Sequence, residues 1–230
     1  MTIDNQHPTS KLILALDVDS PKTAHHFVDL LFPRIKIFKV GLQLFTLAGP
    51  SIINYIQDKG AEVFLDLKFF DIPHTVASAV REAVRLKVKM LTLHISAGDA
   101  MLEASVLSAQ EEAHNAALKR PLLIGVTVLT SQEADSGEVL KLAKKGLWCG
   151  LDGVVCSVHE AALLRKEIKK PFIIVTPGIR PHKEVNDDQK RTATPKESIE
   201  AGSDFLVIGR PIIKAHDPLL AVDEIIKECE

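Results

Sequence analysis

The chain has 230 residues, 46% of them hydrophobic and 25% charged. That is ordinary globular composition, with enough apolar material for one sizeable core. Its 28 basic and 30 acidic residues give a formal charge of −2, so no positive surplus exists to hold nucleic acid; any phosphate must be gripped locally.

Residues 1–11 form a polar N-terminal extension without the apolar core of a signal peptide. Short apolar runs then recur at 12–16, 37–40, 63–67, 91–95, 122–128, 153–156, 172–175 and 205–208. Their apolarity is continuous rather than alternating, which suits strands buried on both faces, as in a parallel sheet. Amphipathic stretches lie between them. Ser20-Pro21 opens the first helix, with Ser20 as its cap. The span 72–87 is the clearest helix: Pro73 suits the first turn, and Val76, Ala79, Val80, Ala83 and Val84 form one stripe. The uncharged stretch 40–57 is broken by Gly49-Pro50 and carries Gln43, Asn54 and Gln57, so it does not read as a membrane span. Residues 181–196 are the most polar and are expected to form a mobile loop over the barrel mouth. The last helix is expected to run from about Pro211 nearly to the C-terminus.

Eight strands alternating with eight helices is the count of a (β/α)₈ TIM barrel, which takes about 200–250 residues. A doubly wound open sheet usually has fewer strands and a glycine-rich turn after the first; here that strand ends in Leu16-Asp17-Val18-Asp19. No linker or repeat divides the chain, so residues 1–230 are expected to form a single domain. Cys149, Cys156 and Cys229 are an odd number at spacings that suit neither zinc nor a disulfide framework. A soluble, cytoplasmic protein with reduced thiols is expected.

A barrel carries its active site at the C-terminal ends of the strands. Strand one ends in Asp17, strand two holds Lys39, strand three ends in Asp66-Leu67-Lys68, and strand four ends near His94. Such charges are costly to bury unless they pair with each other or with a ligand. The plainer alternative is an ion-pair network that merely closes the barrel top. Residues two apart on a strand share a face, so Asp66 and Lys68 both point into the site. Asp71 follows before the helix that Pro73 opens. The pattern is a lysine flanked by carboxylates, with Lys39 arriving from the neighbouring strand. Neighbouring carboxylates favour a charged ammonium, which suits a proton donor rather than a Schiff-base nucleophile. After strands seven and eight, where barrels commonly bind phosphate, Gly209 admits close backbone approach and Arg210 can make a paired contact. Arg180 and Gln189 sit on the preceding loop.

Asp66-Leu67-Lys68-Phe69-Phe70-Asp71 followed by Ile72-Pro73-His74-Thr75 resembles the signature of the orotidine 5′-phosphate decarboxylase family. Leu14-Ala15-Leu16-Asp17, Phe38-Lys39-Val40-Gly41 and Val126-Thr127-Val128-Leu129-Thr130-Ser131 are similar to further segments of that family. So are Val175-Thr176-Pro177-Gly178-Ile179-Arg180, Asp188-Gln189 and Ile208-Gly209-Arg210-Pro211. His74 stands where asparagine is more usual. The resemblance implies a cofactor-free, metal-free decarboxylase of orotidine 5′-monophosphate, with Lys68 as the proton donor. It also implies that Asp17 and Lys39 hold ribose hydroxyls and that Asp66 faces the substrate carboxylate. Asp71 and Thr75 would reach the partner's site in a homodimer, and Thr130 or Ser131 would contact the pyrimidine. Arg180, Gln189, Gly209 and Arg210 would take the phosphate. His94 is left without a role. The nearest competitor is a metal-dependent sugar-phosphate enzyme on the same barrel, but Lys39 stands where a metal-binding carboxylate would be needed. A non-catalytic phosphate sensor is a third reading, with little use for the Lys–Asp network.

Overall fold

The computed structural model describes residues 11–129, 135–181 and 192–229. Eight parallel strands pair in chain order, and the first also pairs with the last, closing a barrel. They are β1 (Leu12–Ala15), β2 (Ile37–Gly41), β3 (Glu62–Phe69) and β4 (Met90–His94), then β5 (Leu122–Val126), β6 (Gly153–Val155), β7 (Ile173–Thr176) and β8 (Phe205–Ile208). The helices are α1 (Pro21–Leu31), α2 (Leu42–Ala48), α3 (Pro50–Asp58), α4 (Pro73–Arg85) and α5 (Asp99–Asn115). They continue with α6 (Ser136–Trp148), α7 (Val158–Glu167), α8 (Pro195–Glu200), α9 (Arg210–Ile213) and α10 (Pro218–Glu228). None is long and apolar enough to cross a membrane.

The expected barrel is therefore present, with each apolar run on a strand. Alternation along the strands divides the core in two. Ile13, Ile37, Phe64, Met90, Ile124 and Phe205 fill the barrel interior. Leu12, Leu14, Phe38, Val63 and Leu91 face outward into the larger core under the helices. Burial on both faces explains why the runs lack a polar alternate.

Helix starts follow the local signals. The Ser20 side chain accepts from the Thr23 N–H at 3.1 Å, and Pro21 and Pro73 occupy first-turn positions. Helix number departs from the expected eight: ten α-helices are present among the described residues. After β2 the chain breaks at Gly49, whose φ of 58° suits glycine, and restarts at Pro50. The expected last helix is two, because Asp217 caps a new start before Pro218. The loop expected over 181–196 also ends early. Thr194 and Glu197 form a capping box that begins α8 at Pro195. Residues 182–191, most of that loop, lie outside the described residues.

β6 shows how little slack the barrel has. Gly153 pairs with Ile173, and a Cβ there would lie 2.6 Å from the Ile173 Cβ and closer still to its carbonyl oxygen. Backbone held in a closed barrel cannot move aside. Gly153→Ala is expected to destabilise the fold by about 1–3 kcal/mol, the usual cost of overpacking. Urea unfolding should show a lower midpoint with an unchanged slope.

Candidate active site

The inward positions of β2, β3 and β4 change character in the same layer. Ile13, Ile37, Phe64 and Met90 lie below; the next inward positions of β2, β3 and β4 are Lys39, Asp66 and Thr92. Asp17 follows just beyond the end of β1. These groups meet. Lys39 Nζ lies 3.0 Å from Asp17 Oδ1 and 3.6 Å from Asp66 Oδ2, while Lys68 Nζ lies 2.8 Å from Asp66 Oδ1. Charge alternates along Asp17, Lys39, Asp66 and Lys68 across three adjacent strands. Gly41 leaves room for this, since a Cβ there would come within 3.1 Å of Lys39 Nζ.

Asp66 is largely buried, with a side chain only 13% exposed. Burial pushes its pKa up. The charges of Lys39 and Lys68, with hydrogen bonds from Lys68 and Thr92, outweigh that and hold the carboxyl below the ordinary aspartate range.

Lys68 reaches Asp66 through an irregularity that period-two reasoning does not contain. Leu65 pairs with Leu91, but the next pair is Phe69 with Leu93. Asp66, Leu67 and Lys68 therefore stand opposite Thr92 alone. Within this bulge Lys68 has a φ of 51°, a left-handed conformation that costs a non-glycine residue roughly 1–3 kcal/mol. Its N–H donates to Thr92 Oγ1 at 2.8 Å. Bulges commonly re-aim a side chain beside an active site.

A cavity of about 640 Å³ opens at this end of the barrel, within the usual range for small-molecule sites. The four charged residues line one side. Arg180, Gly209 and Arg210, from the segments after β7 and β8, line another. Arg180 is buried, and its N–H donates to the Ala193 carbonyl at 2.9 Å. Val126, Val155, Val175 and Val207 supply apolar wall between them.

Sequence reasoning missed three residues here. Asp19 lines the cavity and accepts from Gln43 Nε2 at 2.9 Å. Lys214 lines it four residues after Arg210, a helical spacing that was visible. Thr92 is buried behind Asp66, and its inward alternation with Met90 was the available signal.

The picture of Lys68 between two carboxylates needs correction: among the described residues of one chain, only Asp66 is beside it. Asp71 is exposed, and its Oδ1 accepts from the Ile72 N–H at 2.6 Å. The chain leaves the barrel after the bulge and carries Asp71 outward. Thr75 is exposed too, and neither residue lines the cavity. Phe70 and Ile72 beside them are 61% and 66% exposed. His94 packs edge-on against Phe70, with ring centroids 5.7 Å apart; burial and then the Lys68 charge lower its pKa. Thr130, Ser131 and Gln189 lie outside the described residues. Among the described residues, no three His, Cys, Asp or Glu side chains are grouped to hold a metal ion.

The profile of the "Orotidine 5'-phosphate decarboxylase / HUMPS family" matches residues 10–225. The chain belongs to that family. Among its relatives, the orotidine 5′-phosphate decarboxylase of Coxiella burnetii is 44% identical over 235 residues, 97% of this chain and 98% of that protein. That of Vibrio vulnificus is 46% identical over 226 residues, 94% and 96% of the two chains. The crystal structure of the Lactobacillus acidophilus orotidine 5′-phosphate decarboxylase superposes with a TM-score of 0.81 at 34% identity. It covers 95% of this chain and 98% of that one.

The depressed Asp66 pKa carries a sign. Such a group stabilises the folded state above the ordinary value of 3.8, and the contribution is lost as pH falls through the folded value. Asp66→Asn is expected to be less stable at neutral pH. The loss should fall short of the roughly 3–5 kcal/mol seen when a buried counter-charge is left alone, because Lys39 keeps Asp17. The gap between wild type and variant should narrow as pH drops below 3.8. Urea titrations across pH would measure it; a gap independent of pH contradicts the ionised pairing.

Proposed function

We propose that this chain converts orotidine 5′-monophosphate to uridine 5′-monophosphate and CO₂, a step of de novo pyrimidine biosynthesis. It is an enzyme, a carboxy-lyase. The observation that carries the reading is the alternating chain Asp17–Lys39–Asp66–Lys68 at the cavity wall of a member of this family.

Loss of CO₂ from C6 of the pyrimidine leaves a carbanion in the ring plane, where the π-system cannot readily delocalise it. The mechanism is electrostatic and needs no cofactor or metal. The Lys68 ammonium stabilises the developing charge and then delivers its proton to C6. Asp66 faces the substrate carboxylate, which raises the energy of the bound anion relative to the state that has lost CO₂. Asp17 and Lys39 hold the ribose hydroxyls. Arg180 and Arg210 take the phosphate with the Gly209 backbone and Gln189, and Thr130 or Ser131 contacts the pyrimidine. Phosphate binding remote from C6 supplies free energy for ordering the site. Lys39 supports the metal-free reading: its ammonium stands between two carboxylates, where it would repel a cation.

The enzyme works in the cytoplasm as a homodimer, with Asp71 and Thr75 completing the partner's site. Support for the dimer is the exposure of Asp71 amid Phe70 and Ile72, apolar side chains uncovered in one chain.

Ultraviolet absorbance of orotidine 5′-monophosphate should fall to that of uridine 5′-monophosphate on incubation with the protein, with or without a chelator. Lys68→Ala should abolish nearly all turnover while binding of uridine 5′-monophosphate persists. Arg210→Ala should instead weaken binding about 10- to 150-fold, the equivalent of one charge-assisted hydrogen bond. Substantial turnover by Lys68→Ala would remove the proton-donor role. Activity lost to chelator and restored by magnesium would move the chain to a metal-dependent sugar-phosphate reaction.

Subunit mixing tests the shared site. In a mixed dimer of Lys68→Ala and Asp71→Ala subunits, one site carries both lesions and the other neither. Random exchange makes half the dimers mixed, so about a quarter of all sites regain activity under two-fold symmetry. If exchange is verified by mass and activity stays flat, both residues serve one site.

A further inference from the structure

We infer that Thr92 is a positioning residue of this reaction: one buried hydroxyl orients the Asp66 carboxylate and fixes the backbone that carries Lys68. The inference rests on the proposed role of Lys68 as proton donor. Thr92 is 1% exposed and does not line the cavity, so it acts through its neighbours. Its Oγ1 accepts from the Lys68 N–H at 2.8 Å and donates to Asp66 Oδ1 at 3.0 Å.

The direction of each bond is forced. A hydroxyl has one proton to give and lone pairs to receive. An ionised carboxylate can only accept, so the Thr92 proton goes to Asp66. A backbone N–H can only donate, so it takes a Thr92 lone pair. The hydroxyl thus couples the two reacting groups from behind.

Both ties fall where the barrel is least regular. Three residues of β3 oppose Thr92 alone, so the ladder cannot satisfy the Lys68 N–H in the ordinary way. The side chain of Thr92 provides the acceptor instead, at the residue held at a φ of 51°. Without it, Lys68 can relax towards an ordinary strand conformation, which re-aims Nζ. Asp66 Oδ1 would keep only Lys68 as its partner, and the carboxylate could rotate. The phosphate-side residues Arg180 and Arg210 lie on the segments after other strands, β7 and β8, so binding of the remote group should be spared.

Thr92→Val removes the hydroxyl while keeping the shape, and Thr92→Ser keeps the hydroxyl. We expect Thr92→Val to lower kcat about 10- to 100-fold, the scale of effect when reacting groups move by about an ångström. KM and the affinity for uridine 5′-monophosphate should stay within about threefold. Thr92→Ser should recover most of kcat. A purely structural threonine would lower thermal stability and leave kcat per folded molecule unchanged, which overturns the inference. If the valine variant does not fold, Thr92→Ala replaces it in the same comparison.

A second readout needs no turnover. The acid midpoint of Asp66, followed by carboxyl carbon NMR, should rise in Thr92→Val and return in Thr92→Ser, because the lost hydrogen bond favours the ionised form. An unmoved midpoint overturns the inference even if wild type proves inactive on orotidine 5′-monophosphate. Inactive wild type with a moved midpoint overturns the proposed function alone and leaves Thr92 as the residue that positions Asp66.

Discussion

An ionised carboxylate buried at the tip of a barrel strand is the constraint around which this site is arranged. Taking Asp66 out of water costs several kcal/mol even after relaxation, and no single partner on its own strand offsets that. Compensation comes from Lys39 on β2, Lys68 at the end of β3 and Thr92 on β4. The three can converge only because β2, β3 and β4 are neighbours in a closed sheet. Barrel closure and site electrostatics are thus one problem, since a shift of either flanking strand would leave the carboxylate short of partners.

The layer beneath contributes by being uniformly apolar. Ile13, Ile37, Phe64 and Met90 exclude water from below, which strengthens each charge interaction above them relative to bulk solvent. The cavity lining also carries Arg180 and Arg210, placed by the segments after β7 and β8. The same cavity is thus lined by the cations Lys39 and Lys68 of the charged chain and by Arg180 and Arg210. Ile179 pairs with Ala193 in a short bridge, which ties the two ends of the loop after β7 close to the cavity.

Regularity and irregularity have separate jobs. Seven of the eight strand pairings run in simple parallel register, and their residues make the container. The β3–β4 pairing does not, and Lys68 sits in its bulge. A left-handed lysine is strained, and strain persists only where surrounding contacts over-determine it. Here those contacts are the Thr92 hydroxyl behind and Asp66 in front.

Much of this was legible in the sequence for physical reasons. Strands buried on both faces must be continuously apolar, so eight such runs marked the eight strands, and charges at their ends marked the mouth. Ser20, Pro21 and Pro73 act on their own turn of backbone, and local signals of that kind survive into the fold. What lay beyond the sequence depends on pairs of distant residues. Alternation with Met90 turns Thr92 inward, but nothing local marks its role, which arises only where β4 meets the bulge of β3, 24 residues away. Asp71 read as a neighbour of Lys68 because they are three apart in the chain, yet the turn between them carries it to the surface. Spacing along a chain fixes which side chains can share a face; the register between strands fixes which of them touch, and only the closed barrel sets that register.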